Sequence, residues 1–254
     1  MAAERFACAY RATWWSLFAL LGLPLADLAL RAATGGLGVN PLEALLRGTG
    51  RWALIALLLS LTITPLRRAL AAAARARRAR WGRRLSDWNW IVRLRRMIGL
   101  YSFFYACVHV GVYLHFDLGW DWSSVLIEVR EKPYLLAGAF ALALLAPLAA
   151  TANDAVMRLM GRNWRRLHRL SYFVAVVALA HFWWLVKVGE QRALPYTIAA
   201  IALLGYRVLA RYGFLVPRPK DDGMQLPDRS TVSGGAPEDM LKGKAELESP
   251  RPLA

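Results

Sequence analysis

Residues 95–116 read Arg95-Arg-Met-Ile-Gly-Leu-Tyr-Ser-Phe-Phe-Tyr-Ala-Cys-Val-His109-Val-Gly-Val-Tyr-Leu-His115-Phe116. After its two arginines this stretch carries no formal charge to its end, which matches the roughly 20 residues needed to cross a bilayer. Five further segments approach or reach that length: 12–30, 52–66, 134–150, 167–188 and 195–215. The one at 52–66 is short and ends at Thr64-Pro65-Leu66, before Arg67 and Arg68. Those at 134–150 and 195–215 begin at or beside Pro133 and Pro195, residues tolerated in a first helical turn because their missing N–H has no partner there. The pattern predicts an all-α integral membrane protein, a bundle of six transmembrane helices.

Composition agrees. Of 254 residues, 57% are hydrophobic, and 33 Lys plus Arg stand against 17 Asp plus Glu, a net charge of +16. That excludes a disordered chain, and two cysteines, Cys8 and Cys107, exclude a disulfide scaffold. A basic protein invites a nucleic-acid reading, so the location of the charge decides. With the N-terminus inside, 26 of the 33 basic residues fall on one side: Arg5 and Arg11, the eleven arginines of 67–96, the five of 151–169, and those from Arg207 onward. The other side holds Arg31, Arg47, Arg51, Arg130, Lys132, Lys187 and Arg192. By the positive-inside rule both termini are cytoplasmic, and loops 31–51, 117–133 and 189–194 face outward. The charge thus reads as topology and as contacts to anionic membrane lipid, with no nucleic-acid partner.

The expected organisation is a cytoplasmic N-terminus at 1–11, a transmembrane domain at 12–216 with the Arg-rich cytoplasmic loop 67–96, and a disordered cytoplasmic tail at 217–254. The first apolar segment resembles a secretory signal, but no small-x-small cleavage site ends it. It is read as a retained helix.

Four histidines occur, His109, His115, His168 and His181, all in or beside apolar segments. Ionisable groups there are costly and default to function. A lone one is as readily an interhelical hydrogen-bond donor; three at matched depths point to a ligand set. Segments 97–116 and 167–188 both run outward, so they are parallel. His109 lies 13 residues beyond Arg96, and His181 lies 13 beyond His168. At 1.5 Å per residue each is about 20 Å from the inner edge. Facing neutral imidazoles at one level suit the two axial positions of a haem iron. His168 sits at the inner edge, level with Arg95, whose guanidinium suits haem propionates or a flavin phosphate. Thirteen residues of ideal helix leave His168 and His181 about 140° apart around the axis. Two sites on different faces, or a local irregularity of the helix, would reconcile this. His115 reads as an interfacial side chain, Trp164, Trp183 and Trp184 as an aromatic belt, and Tyr105 and Tyr113 as packing either along a cofactor or in the core.

Several stretches then carry a resemblance. They are Arg95-Arg-Met-Ile-Gly-Leu through His109, Arg162-Asn-Trp-Arg-Arg-Leu-His168 through His181, Gly35-Gly-Leu-Gly-Val-Asn-Pro41, Thr62-Ile-Thr-Pro-Leu66, Lys132-Pro-Tyr-Leu135 and Thr151-Ala-Asn153. In this order they resemble the MsrQ family, haem-binding membrane subunits of bacterial periplasmic methionine-sulfoxide reductase systems. The wider group is the ferric-reductase-like transmembrane domain family. The resemblance runs from about 12 to 212. It implies one or two haem b groups and FMN, with haem histidines at His109, His168 and His181, in the bacterial inner membrane. Electrons would come from quinone or a cytoplasmic flavin reductase and pass outward to a periplasmic molybdopterin-containing enzyme. That enzyme reduces methionine sulfoxide in oxidised proteins. The chain would be an electron-transfer subunit rather than the catalytic one. NADPH oxidases of the wider group carry a further histidine where this chain has Arg95, which bears on a complete second bis-histidine site.

From the residues alone, the chain has no GxGxxG, Walker motif or thiol pair, so it needs an external electron donor. The outer loop 117–133, with Asp117, Asp121, Glu128 and Glu131, is a candidate docking surface for the periplasmic partner. Two other readings fit the same pattern. One is a stand-alone ferric or quinone-linked reductase; the other is a transporter or scaffold whose histidines only bond between helices.

Overall fold

The protein is described by a computed structural model covering residues 2–79, 81–186 and 191–212, with side chains from residue 10 onward. The expected tail at 217–254 lies outside the described residues. Regular structure among the described residues is entirely helical: α1 (Ala2–Ala33), α2 (Pro41–Ala76), a 3-10 turn (Leu85–Trp88), α3 (Asn89–Phe116), α4 (Trp122–Glu131), α5 (Pro133–Ala150), α6 (Asp154–Met160), α7 (Arg162–Leu167), α8 (Leu170–Leu185) and α9 (Leu194–Arg211). The segments 12–30, 52–66, 97–116 and 134–150 each lie within one helix, whereas 167–188 is divided between α7 and α8 and 195–215 has its described part in α9 up to Arg211. Among the described residues, four helical stretches are long and apolar enough to cross a membrane: Tyr10–Ala33, Pro41–Ala76, Leu85–Phe116 and Pro133–Ala150. The 16 residues of α8 span only about 24 Å, and α9 carries Arg207 and Arg211 near its end.

Helix α2 reaches well beyond the 52–66 segment at both ends, for local reasons. The Asn40 side chain accepts from the Glu43 N–H at 3.2 Å, Pro41 opens the first turn, and Glu43 pairs with Arg47 one turn on. At the other end the Ala-rich run through Ala76 is a strong helix former that hydropathy does not detect. The loop expected at 31–51 is therefore helical from Pro41, and that expected at 67–96 is α-helical over 67–76 and 89–96, with the 3-10 turn of Leu85–Trp88 between them. There Trp88 donates its indole N–H to the Gly82 carbonyl at 2.8 Å, and Arg67 Nε donates to Leu85 O at 3.0 Å.

The loop 117–133 also contains a helix. Asp121 caps α4 by accepting from the hydroxyls and backbone N–H groups of Ser123 and Ser124. These bonds, the Ser123 hydroxyl first, hold the carboxylate at about 2, below its ordinary value of 3.8. Because the folded value is the lower one, the cap's stabilisation is complete above about pH 4 and is lost as pH falls towards about 2. A spin label at exposed position 126, in a background lacking Cys8 and Cys107, should become more mobile across that window. In Asp121→Ala it should already be mobile at neutral pH. A label whose mobility is the same in both proteins at every pH contradicts the assignment.

Side-chain contacts give the helix directions. Tyr101 and Tyr105 of α3 donate to Phe18 O (2.9 Å) and Leu21 O (2.7 Å) of α1, so these two helices run parallel. Ser102 donates to Ala53 O at 2.9 Å while His109 meets Leu46, so α2 is antiparallel to α3. Likewise α5 is antiparallel to α8, through Tyr134 with His181 and Thr151 with His168. The main core joins α2, α5 and α8 through Leu57, Leu61, Ala141, Leu145, Val174 and Ala175. A second joins α1, α2 and α3 around Leu21, Ala56, Ile63 and Ile98; a third adds α9 through Ala200. Helix α2 belongs to all three and forms the centre of the bundle. This arrangement places His109 and His181 at one end and Arg95 and His168 at the other.

Candidate functional site

His109 projects from α3 onto the first half of α2. Its Nδ1 lies 3.0 Å from the Leu46 carbonyl and 3.4 Å from Thr49 Oγ1. Thr49 is 1% exposed and gives its own proton to Leu45 O at 2.7 Å, so it can only accept from the imidazole. His181 projects from α8 onto the first turn of α5, with Nδ1 2.6 Å from the Tyr134 carbonyl. A carbonyl oxygen only accepts. Both imidazoles therefore carry their proton on Nδ1, which leaves the Nε2 lone pairs for a metal.

The two rings are neighbours set nearly perpendicular, with centroids 6.3 Å apart and planes at 83°. A metal–imidazole bond is about 2 Å, so two imidazoles on opposite sides of one metal hold their ring centres about 6 Å apart. The observed spacing meets that requirement. Two glycines make the arrangement possible. A Cβ on Gly50 of α2 would lie 3.1 Å from His109 Cε1, and one on Gly138 of α5 would lie 2.9 Å from His181 Cε1. With both carbonyl acceptors and both glycines in place, the residues present fit a bis-imidazole haem.

His168 is arranged differently. Between α7 and α8 the helix breaks at residues 168–169, so the helix irregularity is the alternative observed. Its Nε2 is 3.2 Å from Thr151 Oγ1, and its ring stacks on Trp164 at 4.0 Å. Thr151 donates to Pro147 O at 2.7 Å, so the hydroxyl accepts from Nε2–H here. Its charged neighbours are Arg95 and Arg96, and among the described residues no other imidazole makes ring contact with it. Arg96 is bound to Asp154 at 2.5 Å, whereas Arg95 has no carboxylate partner among the described residues.

Of the remaining candidates, His115 accepts from Trp120 Nε1 at 3.1 Å near the end of α3. Tyr105 is 1% exposed and bonds α1, which settles its role as core packing. Tyr113 donates to Glu128. The Glu128 carboxylate is also bound by Lys132 at 2.9 Å, and the Tyr113 bond foremost keeps it below its ordinary range. With Asp121 capping α4, two of the four acids of 117–133 are used internally, leaving Asp117 and Glu131 for a docking surface. Trp164 does more than mark an interface, since it stacks on His168 and donates to Thr151 O at 2.9 Å. Sequence reasoning missed Gly50, Gly138 and Thr49, and met Thr151 only within the Thr151-Ala-Asn153 stretch of the family resemblance. Thr49 carries no signal of its own, while the glycines showed one only as helix-weakening residues in apolar runs.

Residues 49–179, which contain His109, His115 and His168 and end two residues before His181, match the ferric reductase like transmembrane component family. The chain is 43% identical over 193 residues to the protein-methionine-sulfoxide reductase heme-binding subunit MsrQ of Herminiimonas arsenicoxydans, covering 74% of this chain and 81% of that one. It is 38% identical to MsrQ of Azospira oryzae, over 80% of this chain and 82% of that one. For MsrQ of Bordetella pertussis the identity is 40%, over 74% and 84% respectively. Each match extends over most of both chains. The chain is thus an integral membrane protein of the MsrQ family of haem-binding subunits, built on a ferric-reductase-like transmembrane component.

Proposed function

We propose that this chain is a transmembrane b-type cytochrome that carries electrons from the cytoplasmic side of the bacterial inner membrane to a periplasmic methionine-sulfoxide reductase. The observation that carries the reading is the His109–His181 pair, with both Nδ1 protons on backbone carbonyls and a spacing suited to one haem iron. His109 and His181 would hold the haem iron, which would supply one-electron transfer when bound. The Leu46 and Tyr134 carbonyls fix ring orientation and raise Nε2 basicity, and Gly50 and Gly138 leave room for the rings. Buried Leu54, Leu58 and Leu179 line the neighbouring core and exclude water.

In this reading α1, α2, α3, α5, α8 and α9 form six spans with both termini cytoplasmic, so the His109–His181 end faces the periplasm. The alternating helix directions and the one-sided arginines support that orientation. His168 and Arg95 then serve an inner haem or an FMN. The donor is quinone or a cytoplasmic flavin reductase, and the acceptor is a molybdopterin-containing reductase. Reduction of a sulfoxide consumes two electrons and two protons and releases water, so a one-electron carrier held here would have to act twice per methionine restored.

The test is a reduced-minus-oxidised spectrum with haem quantitation on the full chain, followed by mixing the reduced protein with the reductase subunit and methionine sulfoxide. At least one haem per chain, reoxidised only when both are present, is expected. A haem-free protein from haem-replete cells would refute the reading. Haem that is reoxidised by ferric chelate or quinone but never by the reductase would instead favour the stand-alone enzyme.

A further inference from the structure

We propose that Arg207 of α9, with Arg95 of α3 and Arg68 of α2, forms a binding site for the carboxylate or phosphate of a redox cofactor at the end of the bundle opposite the His109–His181 pair. The proposal rests on the redox reading above and assigns residues to its second cofactor. An arginine in an apolar helix is costly unless something holds it, and here the hold is only partial. Pro65 lacks the N–H that would bond the Leu61 carbonyl within α2. Arg207 Nη2 donates to that carbonyl at 2.6 Å, and its guanidinium lies 4.5 Å from the centre of the Tyr172 ring. These contacts use one nitrogen and one face. Arg207 Nε is buried with no partner among the described residues.

The charge is uncompensated as well. Ion pairs among the described residues join Asp27 to Arg31, Glu43 to Arg47, Asp154 to Arg96 and Glu128 to Lys132, and none includes Arg207, Arg95 or Arg68. The charged groups acting on Arg207 are instead Arg95 and Arg68. Arg68 meets the Tyr206 hydroxyl at 3.4 Å and that residue's ring at 6.0 Å, and Arg95 also acts on His168. Three guanidinium groups from three helices thus converge in a low-dielectric setting where their mutual repulsion is strong. An oxyanion removes the repulsion and accepts from the vacant Nε–H, the donor edge arginine offers to carboxylate and phosphate. Proximity to His168 selects an anion carried by a cofactor, either a haem propionate or a flavin phosphate.

The test compares full-length wild type, Arg207→Gln and Arg207→Gln/Pro65→Ala. Haem per chain is measured, and FMN and riboflavin are titrated by fluorescence quenching. Arg207→Gln should keep the His109–His181 haem spectrum, which reports correct folding. It should lose about tenfold or more in affinity for one ligand, the scale of a lost charge-assisted pair. Weakened FMN binding with riboflavin unchanged assigns the phosphate; loss of a second haem assigns the propionate. Either outcome supports the site. Unchanged haem and FMN in Arg207→Gln overturn it. So does recovery in the double variant, where an N–H returns to Leu61 O, because Arg207 would then be only a helix lock. Should Arg207→Gln fail to fold, the double variant takes its place, and loss of the second cofactor in it supports the site while full retention overturns it. A wild type with no haem at all defeats the redox reading itself, whereas one haem and no second cofactor defeats only this proposal.

Discussion

Haem retained by His181→Ala is expected to fall by about tenfold or more, since replacing a mere support of a metal ligand already costs that much. The remaining protein should lose the spectrum of a six-coordinate iron. His181 stands at the end of a rigid chain of contacts: Tyr134 O fixes its Nδ1, Gly138 covers its edge, and His109 lies beside it at 6.3 Å. Removing the ring deletes one axial bond while leaving the Leu57, Leu61 and Val174 core intact, so the helices should still assemble. The vacated space is the size of an imidazole, and free imidazole added to the variant should restore the six-coordinate spectrum. A purely structural role for the ring would not be rescued in this way. His109→Ala should behave alike. His115→Ala is the control, because that ring accepts from Trp120 and packs on Phe116 rather than on either imidazole of the pair. Full haem with an unaltered spectrum in His181→Ala would mean that the ligands lie elsewhere.

Both the level and the pairing of His109 and His181 were legible in the sequence. Their level follows from residue counts along helices whose direction the arginines fix, and counting rise is insensitive to small errors in helix ends. Rotation around the axis is not. The 140° separation of His168 and His181 presumed an unbroken helix, and the break at 168–169 removes that premise. Short polar helices were illegible for a related reason. Asp121 capping α4 and Asn153 capping α6 are local hydrogen-bond devices, and α4, α6 and α7 carry no long apolar run. The carbonyls of Leu46 and Tyr134 were out of reach altogether, because every residue has one and only the folded chain selects which meets an imidazole. Arg207 did carry a signal, a charge inside the 195–215 segment. Reading it required the non-local fact that Pro65 leaves the Leu61 carbonyl without a donor.

Gly138→Ala should separate helix stability from haem binding. By propensity the change is favourable, since alanine in a helix interior is preferred to glycine by about 1 kcal/mol. In the haem-free protein that gain offsets the cost of weakening one imidazole hydrogen bond, about 1 kcal/mol, so stability should stay close to that of wild type. Haem affinity should fall instead. The new Cβ would sit 2.9 Å from His181 Cε1 and 3.1 Å from Nδ1, inside normal contact distance. A flexible side chain would swing aside, but this ring is held by its bond to Tyr134 O and by the neighbouring His109. To relieve the contact it must tilt, which weakens the Nδ1 bond and turns Nε2 away from the metal axis. About a tenfold loss of haem affinity is expected, comparable to removing a supporting group of a metal ligand. Gly50→Ala, at 3.1 Å from His109, should act in the same sense but less strongly. Gly99→Ala serves as the reference, because a Cβ there meets nothing within 4 Å and should leave haem binding unchanged. If Gly138→Ala binds haem as Gly99→Ala does, with the same spectrum, the close approach of α5 does not set the position of His181. If both haem affinity and haem-free stability fall together, the glycine serves helix packing rather than the ligand. Only a loss of haem with stability held or raised places the constraint at the imidazole.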